Sequence, residues 1–405
     1  MMKVRNRKYV TIAALSVLML VVSWAVESCR YPLFDDINLI SFFERWHDEE
    51  GLDWNKVLCV NVAYDKTMVP VVDDFGDTIG RTAITDRDSL VKFLNIIEGA
   101  NYDEVFIDVR FPKHLDSDGS APYTLMADSA TSTALFSQIK RMRNTLVANH
   151  ASMEMEDSSL LAKSAIADYG ATIFTGIARY EYQQEAGPSA ALRMYEDLDK
   201  GNISRFGFLA FDGWRPCRNA QFVHIPKDVA SPLRIEDDVE VLNYPLLSSQ
   251  LFRYNTPEDI RNSVSGKVVL IGDFDNDVHT TYSGDVPGPM LNYLAYRELH
   301  EGRHLMGWFE LVRLLFFACI LYIILVPDNL IKGIFNRCRG LKGFIGKWPL
   351  LRFLLSFIGI SFVVACFKIF VAWWGFGISM SVIVTSLIFT IISEIHRYKS
   401  EYLPK

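Results

Sequence analysis

Catalytic signatures are scarce in this sequence. It has no G-x-S-x-G elbow and no P-loop, which leaves serine-nucleophile and nucleotide-phosphate chemistry without support. Its six cysteines form no C-x-x-C and no Cys/His spacing of the zinc-binding kind, so neither a zinc site nor a dithiol redox pair is expected. Basic residues are few where nucleic acid would need them. Between residues 27 and 307 there are 26 Lys+Arg against 44 Asp+Glu, the reverse of a nucleic-acid footprint. No fixed-period repeat and no low-complexity linker is present. The expectation is a protein that is not an enzyme, with no metal, no cofactor and no nucleic-acid partner.

Long apolar runs, by contrast, are plentiful. Residues 10–26, 308–326, 353–374 and 375–392 each approach the roughly 20 residues that cross a bilayer core as a helix. The expected layout is a cytoplasmic N-terminus (1–8), transmembrane helix (9–26), outer domain (27–307), transmembrane helix (308–326), basic loop (327–352), two further transmembrane helices (353–374 and 375–392) and a cytoplasmic tail (393–405). Lys332, Arg337, Arg339, Lys342, Lys347 and Arg352 face a single acid, Asp328, in the basic loop, which puts that loop inside. The outer domain is then extracytoplasmic. This predicts a multi-pass protein of the inner (cytoplasmic) membrane, with its main domain periplasmic in a Gram-negative cell and the lipid bilayer as a partner. Ser23-Trp24-Ala25 also permits the first run to be read as a cleavable signal peptide. Lys368 is expected to snorkel to the outer interface, and Glu310 to pair with Arg313 on one helix face. Cys29, Cys59 and Cys217 fall in the outer domain and allow one disulfide at most.

Within the outer domain, strand and helix signals alternate. Apolar recurrence predicts helices over 35–50, 90–97, 135–142, 160–169, 257–264 and 289–301, with Asp86 or Asp88 as a cap for the second. Short apolar runs at 57–62, 105–109, 145–148, 171–174, 206–211, 221–225, 239–244 and 268–271 predict strands. The acidic segment after residue 62 reads as a loop. This alternation indicates an α/β domain with a mixed or largely parallel sheet and flanking helices, joined to an all-α four-helix transmembrane region.

The most informative stretch runs from Lys267 to Pro289. Val268-Val269-Leu270-Ile271 reads as a buried strand, and Gly272 opens a loop with Asp273, Asp275, Asp277 and His279 at alternate positions. That alternation resembles a calcium loop, but the required Gly and Glu positions hold Val278 and Gly284, so the pattern fails. In open α/β sheets, sites gather at strand C-termini. The candidate ligand-binding residues are therefore Asp65, Asp108, Asp273, Asp277, His279 and Thr280.

Three stretches together resemble the CHASE type 2 family of extracytoplasmic sensory domains. They are residues 57–62 with the following acidic turn, 87–111 with Val105-Phe106-Ile107-Asp108-Val109-Arg110-Phe111, and 265–272 with Asp277-Val278-His279-Thr280 and Pro287-Gly288. The resemblance covers residues 35–305. Departures are the missing Trp-Pro-Trp-Pro-Arg-like turn between residues 80 and 87, and Thr281 where a Pro follows Thr280 in the family. The resemblance implies a sensory domain that binds an unknown extracytoplasmic ligand and passes its state through membrane helices. No kinase or cyclase sequence follows the last apolar run, so the output is expected in a separate signalling protein. The alternative is a structural or assembly subunit of a cell-envelope complex, with the outer domain as its docking module. Ser356, Gly359 and Ser361 permit close helix packing, including that of a homodimer.

Overall fold

The computed structural model describes residues 2–27, 51–73, 75–115, 123–125, 128–150, 154–169, 179–207, 209–221, 223–236, 238–281, 284–307, 309–325, 349–373 and 382–402. The helix expected over 35–50, the strand expected over 171–174, Cys29 and most of the basic loop lie outside them.

Five parallel strands form the centre: β1 (Val57–Asn61), β2 (Glu104–Asp108), β3 (Thr145–Asn149), β4 (Ser164–Ile166) and β5 (Val268–Gly272). Their spatial order is β1-β5-β2-β3-β4, so the last strand in sequence fills the gap between the first two. All five residues of β5 are buried, which explains its unbroken apolar run: a strand covered on both faces has no reason to alternate.

Successive side chains point to opposite faces and feed two cores. Val60, Val105, Ile107, Val269 and Ile271 meet α1 (Arg87–Ile97), α2 (Ser129–Arg141) and α4 (Pro257–Val264) on one face. Val57, Cys59, Phe106, Val268 and Leu270 meet α3 (Ala190–Leu198) and α5 (Gly288–His300) on the other. In α1, Leu90, Phe93, Leu94 and Ile97 have no exposed surface, each burial contributing about 1.5–3 kcal/mol. Asp86 caps this helix by accepting from the Ser89 amide, and a capping box of Thr256 and Asp259 starts α4.

Helices α1 and α2 pack on one face, whereas α5, which follows β5, packs on the other. Adjacent strands whose chains leave toward opposite faces open a crevice at their C-terminal ends. That crevice holds the candidate site.

Several local expectations are corrected. The acidic segment after residue 62 is an antiparallel hairpin, Lys66–Val72 with Thr78–Thr85, extended by Tyr123–Leu125 and His114–Leu115. Residues 160–169 are not an α-helix: a 3-10 turn, Ser158–Lys163, runs straight into β4. The single strand expected over 206–211 is instead the first part of a three-stranded meander, Ile203–Phe206, Leu209–Asp212 and Arg215–Cys217.

The larger correction concerns the four-helix transmembrane region. Helices are present at Met2–Glu27, Phe309–Leu325, Pro349–Trp373 and Val382–Tyr402, but among the described residues none is long and apolar enough to cross a membrane. The described residues of Phe309–Leu325 number 17, about 26 Å of rise. Met2–Glu27 opens with four cations, Pro349–Trp373 carries Arg352 and Lys368, and the second half of Val382–Tyr402 holds Glu394, Arg397, Lys399 and Glu401. The multi-pass inner-membrane location and the orientation deduced from those spans fall with them. Lys368 is 2% exposed and does not snorkel.

These helices pack on one another around Ile12, Met19, Phe317, Leu321, Val364 and Phe389. They also join the α/β domain. Trp24 Nε1 donates to the Cys217 carbonyl at 3.1 Å. Glu310 pairs with Arg313 as expected, and also accepts from Arg218 at 2.9 Å.

Candidate functional site at the C-terminal edge of the sheet

Strand register lines up Asn61, Gly272 and Asp108 in one row, the last residues of β1, β5 and β2. Each leads into the crevice. Opposite them stands the first turn of α5. A Cβ on Gly272 would lie 2.4 Å from Pro289 Cγ and 3.2 Å from the Asp108 carbonyl, so glycine is required for helix and strand to approach this closely.

Asn292 is the centre of the site. It is fully buried on α5, and its amide nitrogen faces Tyr169 Oη at 2.9 Å, Asp108 Oδ2 at 3.2 Å and the Gly288 carbonyl at 3.3 Å. Its Oδ1 accepts from Tyr180 Oη at 2.7 Å. Tyr169 in turn donates to the Gly288 carbonyl at 2.9 Å. One buried amide thus ties a strand end, a tyrosine pair and a helix turn together.

Asp277 closes the outer side. Its carbonyl accepts from the Gly288 amide at 2.7 Å, and a Cβ at Gly288 would meet Asp277 Oδ2 at 2.4 Å. The carboxylate therefore lies against the N-terminus of α5, where the helix dipole favours negative charge. His279 lies beside it, Nε2 being 3.1 Å from Asp277 Oδ1, close but not aligned as a hydrogen bond. The Tyr169 ring meets the imidazole at 4.6 Å between centroids.

Desolvation and then the Asp277 charge push the Asp108 carboxyl up to about 8, against the opposing pull of the Asn292 hydrogen bond. Asp108 is therefore a proton carrier at neutral pH, able to donate a hydrogen bond, whereas an ordinary carboxylate only accepts. Burial, followed by the charges of Asp108 and Asp277, also raises the Tyr169 hydroxyl, so it too stays protonated.

Of the six residues chosen from sequence, the fold brings together Asp108, Asp277 and His279. Asp273 belongs to the neighbouring turn: it accepts from the Asn276 amide at 2.8 Å and pairs with Lys66 at 3.3 Å. Burial works against its charge, but those hydrogen bonds outweigh it and hold Asp273 below the usual range. Asp65 secures the Ser248 amide, and Thr280 turns out to Asp285 at 2.9 Å. Asp275 bonds the Asn61 side chain. The Asp273, Asp275 and Asp277 side chains thus diverge to three different partners. Among the described residues no group of three His, Cys, Asp or Glu is placed to hold a metal ion.

Sequence reasoning missed Tyr169, Tyr180 and Asn292. A polar amide within the apolar run of α5 was the available signal. It also passed over residues 300–304, which spell H-E-x-x-H. That motif needs one continuous helix to put both imidazoles on a face, but α5 ends at His300 and Gly302 has φ +71°. His300 pairs with Asp199 at 2.8 Å, and buried His304 faces Asp212 at 3.2 Å. The two histidines serve different partners.

The thiols are also settled locally. Cys59 and Cys217 are both free and buried, and burial pushes Cys217 up to about 12. Comparison with family models, with curated proteins and with solved structures finds no match for this chain.

Proposed function

We infer that the crevice is a ligand-sensing site, and that α5 reads its occupancy. The observation that carries this is Asn292, which couples the Asp108 carboxyl to the first turn of the helix leading toward Phe309–Leu325. A ligand that takes the Asp108 proton, or fills the space beside Asp277 and His279, alters the hydrogen bonds of that turn. Signalling requires only that it bind two arrangements of α5 unequally. The resemblance of residues 57–62, 87–111 and 265–288 to CHASE type 2 domains agrees with this role.

Thermal unfolding of the whole chain against a library of polar small molecules tests the reading, because a ligand specific for the folded state raises the midpoint. The shift should vanish in Asp108→Asn and Asp277→Asn. A hit whose shift survives both substitutions sinks it.

One observation favours a second reading, assembly with another protein. The helices outside the α/β domain leave Leu315, Leu350, Ile358 and Phe362 at 61–71% exposure, large apolar side chains of the kind that mark protein contacts when they cluster.

A further inference from the structure

The sheet has a second concavity at its opposite edge, of about 830 Å³, between the strand N-termini and the last two turns of α5. This is within the range of small-ligand pockets. Leu52 and Val268 line its apolar floor with the rings of Tyr293 and Tyr296.

Most charges around it are already matched. His300 takes Asp199 at 2.8 Å, and Glu301 takes Arg297 at 2.9 Å and Arg303 at 2.8 Å. Asp53, also in the lining, accepts from the Asn55 backbone amide at 3.2 Å, and three further groups are left over. Lys56 and Asp103 have no side-chain partner among the described residues, and both line the cavity. Tyr293 is 4% exposed as a residue, and its hydroxyl, likewise without a hydrogen-bond partner among the described residues, is accessible from the space it borders.

Lys56 and Asp103 are held in one row. The Val268 amide donates to the Lys56 carbonyl, and the Asp103 amide to the Lys267 carbonyl, both at 3.0 Å. They belong to strands separated by β5, so their backbones stand two inter-strand steps apart, about 10 Å. The Lys56 cation and the Asp103 anion at that distance, over an apolar and aromatic floor, suit a molecule with charged ends of opposite sign. An extended peptide spans about 3.3–3.6 Å per residue, so two or three residues bridge the gap.

We propose that this groove binds short peptides of two or three residues with free ends, the ammonium at Asp103, the carboxylate at Lys56 and a backbone group on the Tyr293 hydroxyl. The site lies at the other edge of the sheet from the crevice and stands or falls independently of it.

The test is calorimetric titration of the whole chain with Ala-Leu-Ala, its N-acetyl form and its C-terminal amide. The free peptide binds, and each cap weakens binding about tenfold or more, the loss of one charge-assisted contact. Asp103→Asn removes the discrimination against the acetyl cap alone, and Lys56→Met that against the amide alone. Both positions are exposed, so these variants fold. Equal binding of free and capped peptides overturns the proposal, as does the absence of heat from the free peptide up to about 1 mM.

Discussion

Glu104 shows how a single carboxyl can set the response of the domain to pH. It is fully buried at the start of β2, and neither carboxyl oxygen has a partner among the described residues. Burial, and then the charge of Asp197, raise it well above the usual range. A raised acid binds its proton more tightly when folded, so stability is fully present below the unfolded value of about 4.3 and is lost as pH rises through the folded one. Asp108 acts in the same sense, its window running from about 4 up to about 8. Asp273 acts in the opposite sense, contributing above the unfolded value and losing its contribution as pH falls. Glu104→Gln is expected to match the parent near pH 4 and to exceed it by about 1–3 kcal/mol near pH 8, the usual cost of an unsatisfied buried group. Urea unfolding at the two pH values measures this. Parallel curves would show that Glu104 is already satisfied. Asp108→Asn should flatten the pH dependence between 4 and 8 by the same logic, read from the midpoint of thermal unfolding across that range.

At the scale of elements, the contact between β5 and α5 is the most sensitive joint. Gly272→Ala drives a methyl into the Pro289 ring, which is fixed at the start of the helix. A loss of about 1–3 kcal/mol is expected from such overpacking, together with loss of any ligand-induced shift. Gly80→Ala is the control: nothing lies within 4 Å of its Cβ position, and it should leave the thermal midpoint unchanged. This joint also marks how far the sequence could be read. The β5 strand was legible because Val268-Val269-Leu270-Ile271 sits between two glycines, and Asp108 because it ends an apolar run. Asn292 and Tyr169 were not, since their contacts join positions more than 100 residues apart, and periodicity reports only on neighbours. The Lys66–Val72 hairpin was hidden by its acidic turn and by Pro70. The apolar runs misled for a physical reason: run length decided the reading, and the charges within the runs, Glu310, Arg313 and Lys368, were assigned to an interface rather than counted against a span.

For the whole molecule, the assembly reading rests on the helices beyond the α/β domain. Leu350 is 71% exposed and Phe362 70%. If another chain covers them, light scattering should report a species larger than one chain, and Leu350→Ser with Phe362→Ser should reduce it to a monomer. A dispersed monomer in both cases would count against assembly. The order β1-β5-β2-β3-β4 has one more consequence, and it concerns how the chain is made. Strands β1 and β2 leave the ribosome early, yet neither can pair with the other, because the place between them belongs to residues synthesised some 160 positions later. Their edges stay open until β5 arrives. Synthesis proceeds at about 5–20 residues per second, so that interval lasts on the order of 10–30 s, during which unpaired strand edges invite association with other chains. Chains ending just before residue 268 should therefore aggregate, and chains ending just after α5 should not.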